Sequence, residues 1–145
     1  MNKEYLNVFL VDNIDENIDF FKNIFNELKV GIKLLTFQNS DEVLEYLDKD
    51  DTLAPELIFM NYDILKNELL DEIKKRENLY KVITAIYSEK ISDAEMDDFF
   101  VKNGNICIKK TESKSAFKKK ISDVITLNWQ YYTSGLNKDN FILKI

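Results

Sequence analysis

An α/β domain, doubly wound as a three-layer sandwich around a five-stranded parallel sheet, is the fold this sequence predicts. Three observations predict it. Short apolar runs alternate with amphipathic stretches at the spacing of successive βα units. The runs are nearly continuous in apolar character, as in strands covered by helices on both faces. Two of them, VFLVDN at Val8–Asn13 and LIFMN at Leu57–Asn61, end abruptly on polar residues. That is how a strand delivers side chains to a site at the carboxyl edge of an open sheet.

The elements follow in order. Tyr5–Val11 is the first strand. Glu16–Lys29 is a helix with Ile18, Phe21, Ile24, Phe25 and Leu28 at helical spacing, and Asp15 stands just ahead of it as a cap. Gly31–Phe37 is the second strand. Ser40 opens a helix with Asp41 and Glu42 in its first turn and Val43, Leu44 and Leu47 on one face. The third strand, Leu57–Asn61, follows the chain's one proline, Pro55. Glu68–Lys75 is a short helix carrying Leu69, Leu70 and Ile73. Val82–Tyr87 is the fourth strand, Ser92–Lys102 the fourth helix, and Ile106–Ile108 the core of the fifth strand. Ser115–Tyr131 closes the fold with Phe117, Ile121, Val124, Ile125 and Leu127.

Gly135 breaks that last helix, and Phe141–Ile145 is apolar enough for an extra strand or a packed tail. Residues 1–132 therefore read as one domain and 133–145 as a tail that covers its own surface or docks elsewhere. Right-handed crossovers gather the carboxyl ends of the strands on one edge. Asp12, Asn13, Asn61, Ser88 and Lys109 or Lys110 would meet there.

Composition removes several function classes. The 145 residues include no histidine, which excludes Ser–His–Asp and Cys–His catalysis and histidine zinc sites. A lone Cys107 rules out an intrachain disulfide. The net charge of −6, from 26 acidic and 20 basic residues, argues against nucleic acid as the main partner. Apolar runs fall far short of the ~20 residues that span a bilayer. No basic and apolar signal segment opens the chain, so a cytoplasmic location without membrane association is expected.

From about Leu6 to Tyr132 the chain resembles the CheY-like receiver domain of two-component response regulators, in its small single-domain form. The resemblance implies a flavodoxin-like sheet in the order 2-1-3-4-5. In that family the first strand ends in an acidic pair and the third in the aspartate that accepts phosphate. The fourth ends in a threonine or serine, and the fifth in a lysine followed by proline. Here VDN supplies Asp12 and Asn13, PELIFMN puts Asn61 at the acceptor position, and AIYS supplies Ser88. NGNICIKKT supplies Lys110, with Thr111 in place of the proline; the 22-residue interval from Ser88 favours Lys110 over Lys109.

The family's chemistry needs an attacking carboxylate, a divalent cation to offset crowded oxygen charge, and a lysine and hydroxyl to hold the product. Asp12 retains one metal oxygen, whereas the neutral Asn13 is a weaker ligand. Asn61 cannot form an acyl phosphate, because an amide lacks the anionic oxygen of a nucleophile. Its amide is instead suited to satisfy Asp12 and Lys110 by hydrogen bonding. The expectation is therefore a pseudo-receiver, a signalling module and not an enzyme. It would act through protein–protein contact without aspartyl phosphorylation and with at most weak Mg²⁺ binding.

Asp63, two residues beyond Asn61, is the alternative acceptor if a shifted register brings it to the site. Otherwise it is a surface aspartate at a loop start. Ser88 either tracks a phosphoryl group or caps the following loop, and Tyr87 before it covers the cleft. Cys107 stands where the family keeps a switching aromatic ring and reads as a buried strand cysteine. The loop YDILKN lacks the family's Pro and Gly turn.

Expected partners are a histidine kinase or other signalling protein, or a second copy through the face of the fourth helix, fifth strand and fifth helix. Trp129, Tyr131 and Tyr132 are the contact candidates there, while Lys114 and Lys118–Lys120 read as a solvated face. A small-molecule-binding open α/β domain is a third reading. No glycine-rich phosphate loop follows the first strand to support it.

Overall fold

The computed structural model describes residues 5–49, 52–65, 68–76, 79, 81–110, 113–134 and 142–145. Strands β1 (Tyr5–Val11), β2 (Gly31–Phe37), β3 (Leu57–Asn61), β4 (Ile83–Ser88), β5 (Ile106–Lys109) and β6 (Leu143–Lys144) alternate with helices. These are α1 (Asp15–Glu27), α2 (Ser40–Leu47), α3 (Glu68–Lys75), α4 (Asp93–Val101) and α5 (Lys114–Ser134), and one 3-10 turn, Tyr62–Ile64, follows β3. The strands form one parallel sheet in the order β2-β1-β3-β4-β5-β6.

The order 2-1-3-4-5 is therefore present, but the sheet has six strands and not five. The sixth forms because β5 would otherwise present an open edge of unpaired backbone groups. Leu143 N–H donates to Asn105 O at 2.7 Å, Ile145 N–H to Cys107 O at 3.0 Å, and Lys109 N–H to Ile145 O at 2.9 Å. Gly135, Phe141 and Thr111 lie outside the described residues.

Both faces of the central sheet are packed, which is why β3 and most of β1, β4 and β5 are apolar, whereas β2 near the edge is largely exposed. Val8 and Leu10 of β1 and Phe59 of β3 join Phe21, Ile24, Phe117, Ile121 and Ile125 under α1 and α5. Phe9 and Val11 point the other way, with Ile58, Met60, Ile86, Met96, Phe99 and Cys107. Cys107 is fully buried, and burial pushes its thiol up to about 11.

α2 begins at Ser40 as expected. Asn39 caps α2 by accepting from Glu42 N–H at 2.9 Å, so Ser40 is already helical. Ser92 and Glu95 make a reciprocal capping box on α4. Asp15 is not a cap but the first residue of α1; Ile14 holds the cap position.

The end of α4 depends on a close approach. Gly104 N–H donates to Phe99 O at 2.9 Å, and Asn103 just before it adopts φ 71°. A Cβ on Gly104 would lie 2.3 Å from Cζ of Phe99, whose ring is buried in the core. Gly104→Ala is expected to lose about 2 kcal/mol by overpacking, read as a lower urea midpoint at unchanged slope.

Candidate functional site

The register of the sheet sets the site. Val11 pairs with Met60 and Asn61 with Tyr87, so β1, β3 and β4 end side by side. Asp12 extends β1 by one residue through Asp12 N–H to Phe37 O at 2.9 Å, and it is completely buried.

Four donors surround the Asp12 carboxylate. Oδ1 accepts from Ile14 N–H at 3.0 Å and from Asn61 Nδ2 at 3.3 Å. Oδ2 accepts from Asn17 Nδ2 at 3.0 Å and from the Tyr87 hydroxyl. A carboxylate offers about four acceptor directions, so the set is full. Burial first, and then the charge and hydrogen bond of Asp12, push the Tyr87 phenol far above its ordinary range. It stays protonated and donating.

Lys110 brings a positive charge to the rim of this cage. Its Nζ donates to Asn17 Oδ1 at 3.1 Å, so it is linked to Asp12 through an amide and bonds to Asn17 rather than Asn61. Lys110 and Asn17 also line a groove of about 570 Å³ between α1 and α5, floored by Phe20 and Phe117. Lys109 is exposed.

A second carboxylate stands at the rim. The chain turns immediately after β3, and Asn61 Oδ1 accepts from Asp63 N–H at 3.0 Å, which fixes that turn. Asp63 is exposed, yet its Oδ1 accepts from Ser88 Oγ at 3.1 Å. Ser88 Oγ in turn accepts from Lys90 N–H at 3.1 Å. Ser88 thus faces Asp63, whereas Asn61 faces Asp12. Asn13 is exposed.

Beside the rim, the Tyr62 hydroxyl donates to Glu95 Oε2 at 2.9 Å and ties the turn to α4. Burial and then Glu95 push the Tyr62 phenol up to about 12. Glu95 is held below the usual carboxylate range, chiefly by its bond from the Ser92 backbone.

Sequence reasoning missed Asn17 and the inward reach of Tyr87, which was expected to cover the cleft. Both left a signal. Asn17 lies on the stripe of Phe21, Ile24 and Leu28, where a polar residue interrupts an apolar face. Tyr87 shares the face of Ile83 and Ala85 and is the residue of those three with a polar tip.

The residues do not fit the divalent cation that the receiver resemblance implies. Each acceptor oxygen of Asp12 already has two donors, Asn61 Oδ1 is taken by Asp63 N–H, and Asn13 is neutral. Among the described residues no group of three or more His, Cys, Asp or Glu side chains is placed to hold a metal.

The expectation of a pseudo-receiver is corrected by this geometry. It rested on charge lost from the site, but the pocket keeps Asp12 as a fully hydrogen-bonded carboxylate backed by Asn17, Asn61 and Tyr87. A second, water-facing carboxylate, Asp63, lies against the Ser88 hydroxyl. The sequence expectation put Asn61 at the acceptor position and kept Asp63 as the alternative; the turn after β3 brings Asp63 to the cleft.

No protein-family model matches the chain, and no curated protein sequence matches it. Solved structures do. The phosphorylated cyanobacterial phytochrome response regulator RcpA superimposes with a TM-score of 0.77 at 18% identity, over 92% of this chain and 97% of that one. A response regulator in red light signalling of R. palustris gives 0.74 at 12% identity, over 91% and 96%. The Mn²⁺-bound form of response regulator Rcp1 gives 0.75 at 13% identity, over 83% and 92%. The chain has the CheY-like receiver fold. Among the described residues, no helix is long and apolar enough to cross a membrane.

Proposed function

We propose that this chain is a receiver domain that takes a phosphoryl group on Asp63. The observation that carries this reading is the 3.1 Å hydrogen bond from Ser88 Oγ to Asp63 Oδ1 at the carboxyl edge of the sheet. Asp63 is the carboxylate there that is both open to solvent and paired with the hydroxyl that would follow the phosphoryl group.

The step balances simply. An Asp63 carboxylate oxygen attacks phosphorus of a phosphohistidine or a small phosphoramidate, an O–P bond forms, and the P–N bond breaks. The departing imidazole or ammonia takes its proton from water, and the ionised carboxylate has none to lose. Ser88 then turns its hydroxyl from the carboxylate to a phosphoryl oxygen while Lys90 N–H keeps Oγ in place. Because the acceptor is at the rim, water solvates the added charge. Asp12 stays caged, with Lys110 beyond Asn17. A histidine kinase or related signalling protein is the natural donor, and the groove between α1 and α5 adjoins the site for its approach. Likeness to response regulators of low identity supports that partner class.

Incubation with phosphoramidate, read by intact mass and peptide mapping, tests the reading. One added phosphoryl group on Asp63, lost in Asp63→Asn, is expected. A lasting unmodified mass, or an adduct mapped elsewhere, would overturn it.

A further inference from the structure

We propose that Tyr87, with Asn17 and Asn61, takes the place of a divalent cation on Asp12, so that phosphoryl transfer to Asp63 is independent of Mg²⁺. The first half stands on the cage alone; the second rests on the Asp63 reading.

A cation binding Asp12 must approach an oxygen to roughly 2.0–2.6 Å along an acceptor direction. Each such direction now holds a donor. Displacing any of the three side-chain donors breaks something else. The Tyr87 ring is buried, 5.1 Å from the Phe21 ring centroid and 5.9 Å from that of Phe117. Its buried hydroxyl would be left without its acceptor. Asn17 cannot leave without breaking the link from Lys110 to Asp12. Asn61 makes the longest bond of the set, 3.3 Å, but its Oδ1 holds Asp63 N–H and with it the turn that presents the acceptor.

The cage also divides the labour between the two carboxylates. Asp12 is an internal counter-charge that fixes where β1, β3 and β4 end, and Asp63 is the reactive group outside it. Tyr87 is a positioning residue here: it touches neither the donor nor the phosphoryl group and acts through Asp12.

Two measurements on the full chain test this. In the first, Mn²⁺ is titrated by electron paramagnetic resonance, and thermal melts are recorded with and without Mg²⁺. Wild type is expected to bind no Mn²⁺ and to show no shift in Tm, whereas Tyr87→Phe, which frees one acceptor direction on Asp12, gains a Mg²⁺-dependent rise. A wild-type Tm rise that Tyr87→Phe leaves unchanged, or wild-type Mn²⁺ binding that Asp12→Asn removes, overturns the cage. In the second, phosphoramidate labelling is timed with Mg²⁺ and with chelator. Equal rates support the proposal, and labelling that chelator abolishes overturns it. If no labelling occurs under either condition, the Asp63 reading fails while the Mn²⁺ titration still decides the cage.

Discussion

Asp12→Ala is expected to lose about 3–5 kcal/mol of stability, the range seen when one partner of a buried charged cluster is removed. The loss comes less from the carboxylate than from what it leaves behind. Tyr87 hydroxyl, Asn17 Nδ2, Asn61 Nδ2 and Ile14 N–H all donate to it. Each buried donor left without an acceptor costs about 1–3 kcal/mol, although the amides recover part of that by turning toward water. Tyr87 has no such escape, being buried and packed against Phe21 and Phe117. Asp12→Asn should cost less, since it keeps one acceptor oxygen. Its new amide still confronts two donors. Urea denaturation distinguishes the two variants, and a domain of this size with a total of roughly 5–15 kcal/mol is visibly weakened by the first. Equal stability of Asp12→Ala and wild type would mean that the cage contributes nothing.

The fold was legible because burial on both sheet faces leaves an unambiguous trace. LIFMN and VFLV could be placed as strands without knowing their neighbours, and β1, β2 and β3 have the bounds expected of them. Less was legible where a single hydrogen bond decides. The cap of α2 is Asn39, a choice made by its bond from Glu42 N–H, and whether the tail forms an extra strand depends on pairing with β5, which is a tertiary choice. The site was legible as a list of residues but not as a set of pairs. Asn61 and Asp12 are brought together, but Ser88 turns to Asp63, and Lys110 to Asn17. The Ser88–Asp63 pairing depends on the tight turn Tyr62–Ile64, which a one-residue change in register would undo. Asn17 is one polar residue on an apolar helix stripe, and only the packing of α1 against the sheet edge gives it Asp12 and Lys110 as partners.

Asn61→Asp should have the opposite sensitivity to cations from wild type, and that contrast is the sharper test of the arrangement. The substitution removes the donor that lies 3.3 Å from Asp12 Oδ1 and puts a second carboxylate there. At that separation two unit charges repel by about 5 kcal/mol at an effective dielectric of 20. Part of this is relieved by rotation and by Lys110, so a net loss of about 2–4 kcal/mol at pH 7 is expected. Repulsion raises the folded-state affinity of one carboxylate for a proton above its unfolded value. The deficit is therefore full above that raised value and shrinks as pH falls through it. It vanishes below the ordinary aspartate range of about 4. A divalent cation offsets the same repulsion, so Mg²⁺ should restore stability at pH 7 by binding the folded form alone. Asp63 N–H keeps an acceptor in this variant, so the turn and the rim carboxylate survive the change. Melting curves of both proteins at pH 4 and 7, with and without Mg²⁺, decide it. A variant as stable as wild type at pH 7, and indifferent to Mg²⁺, would show that Asn61 is not what keeps a cation away from Asp12.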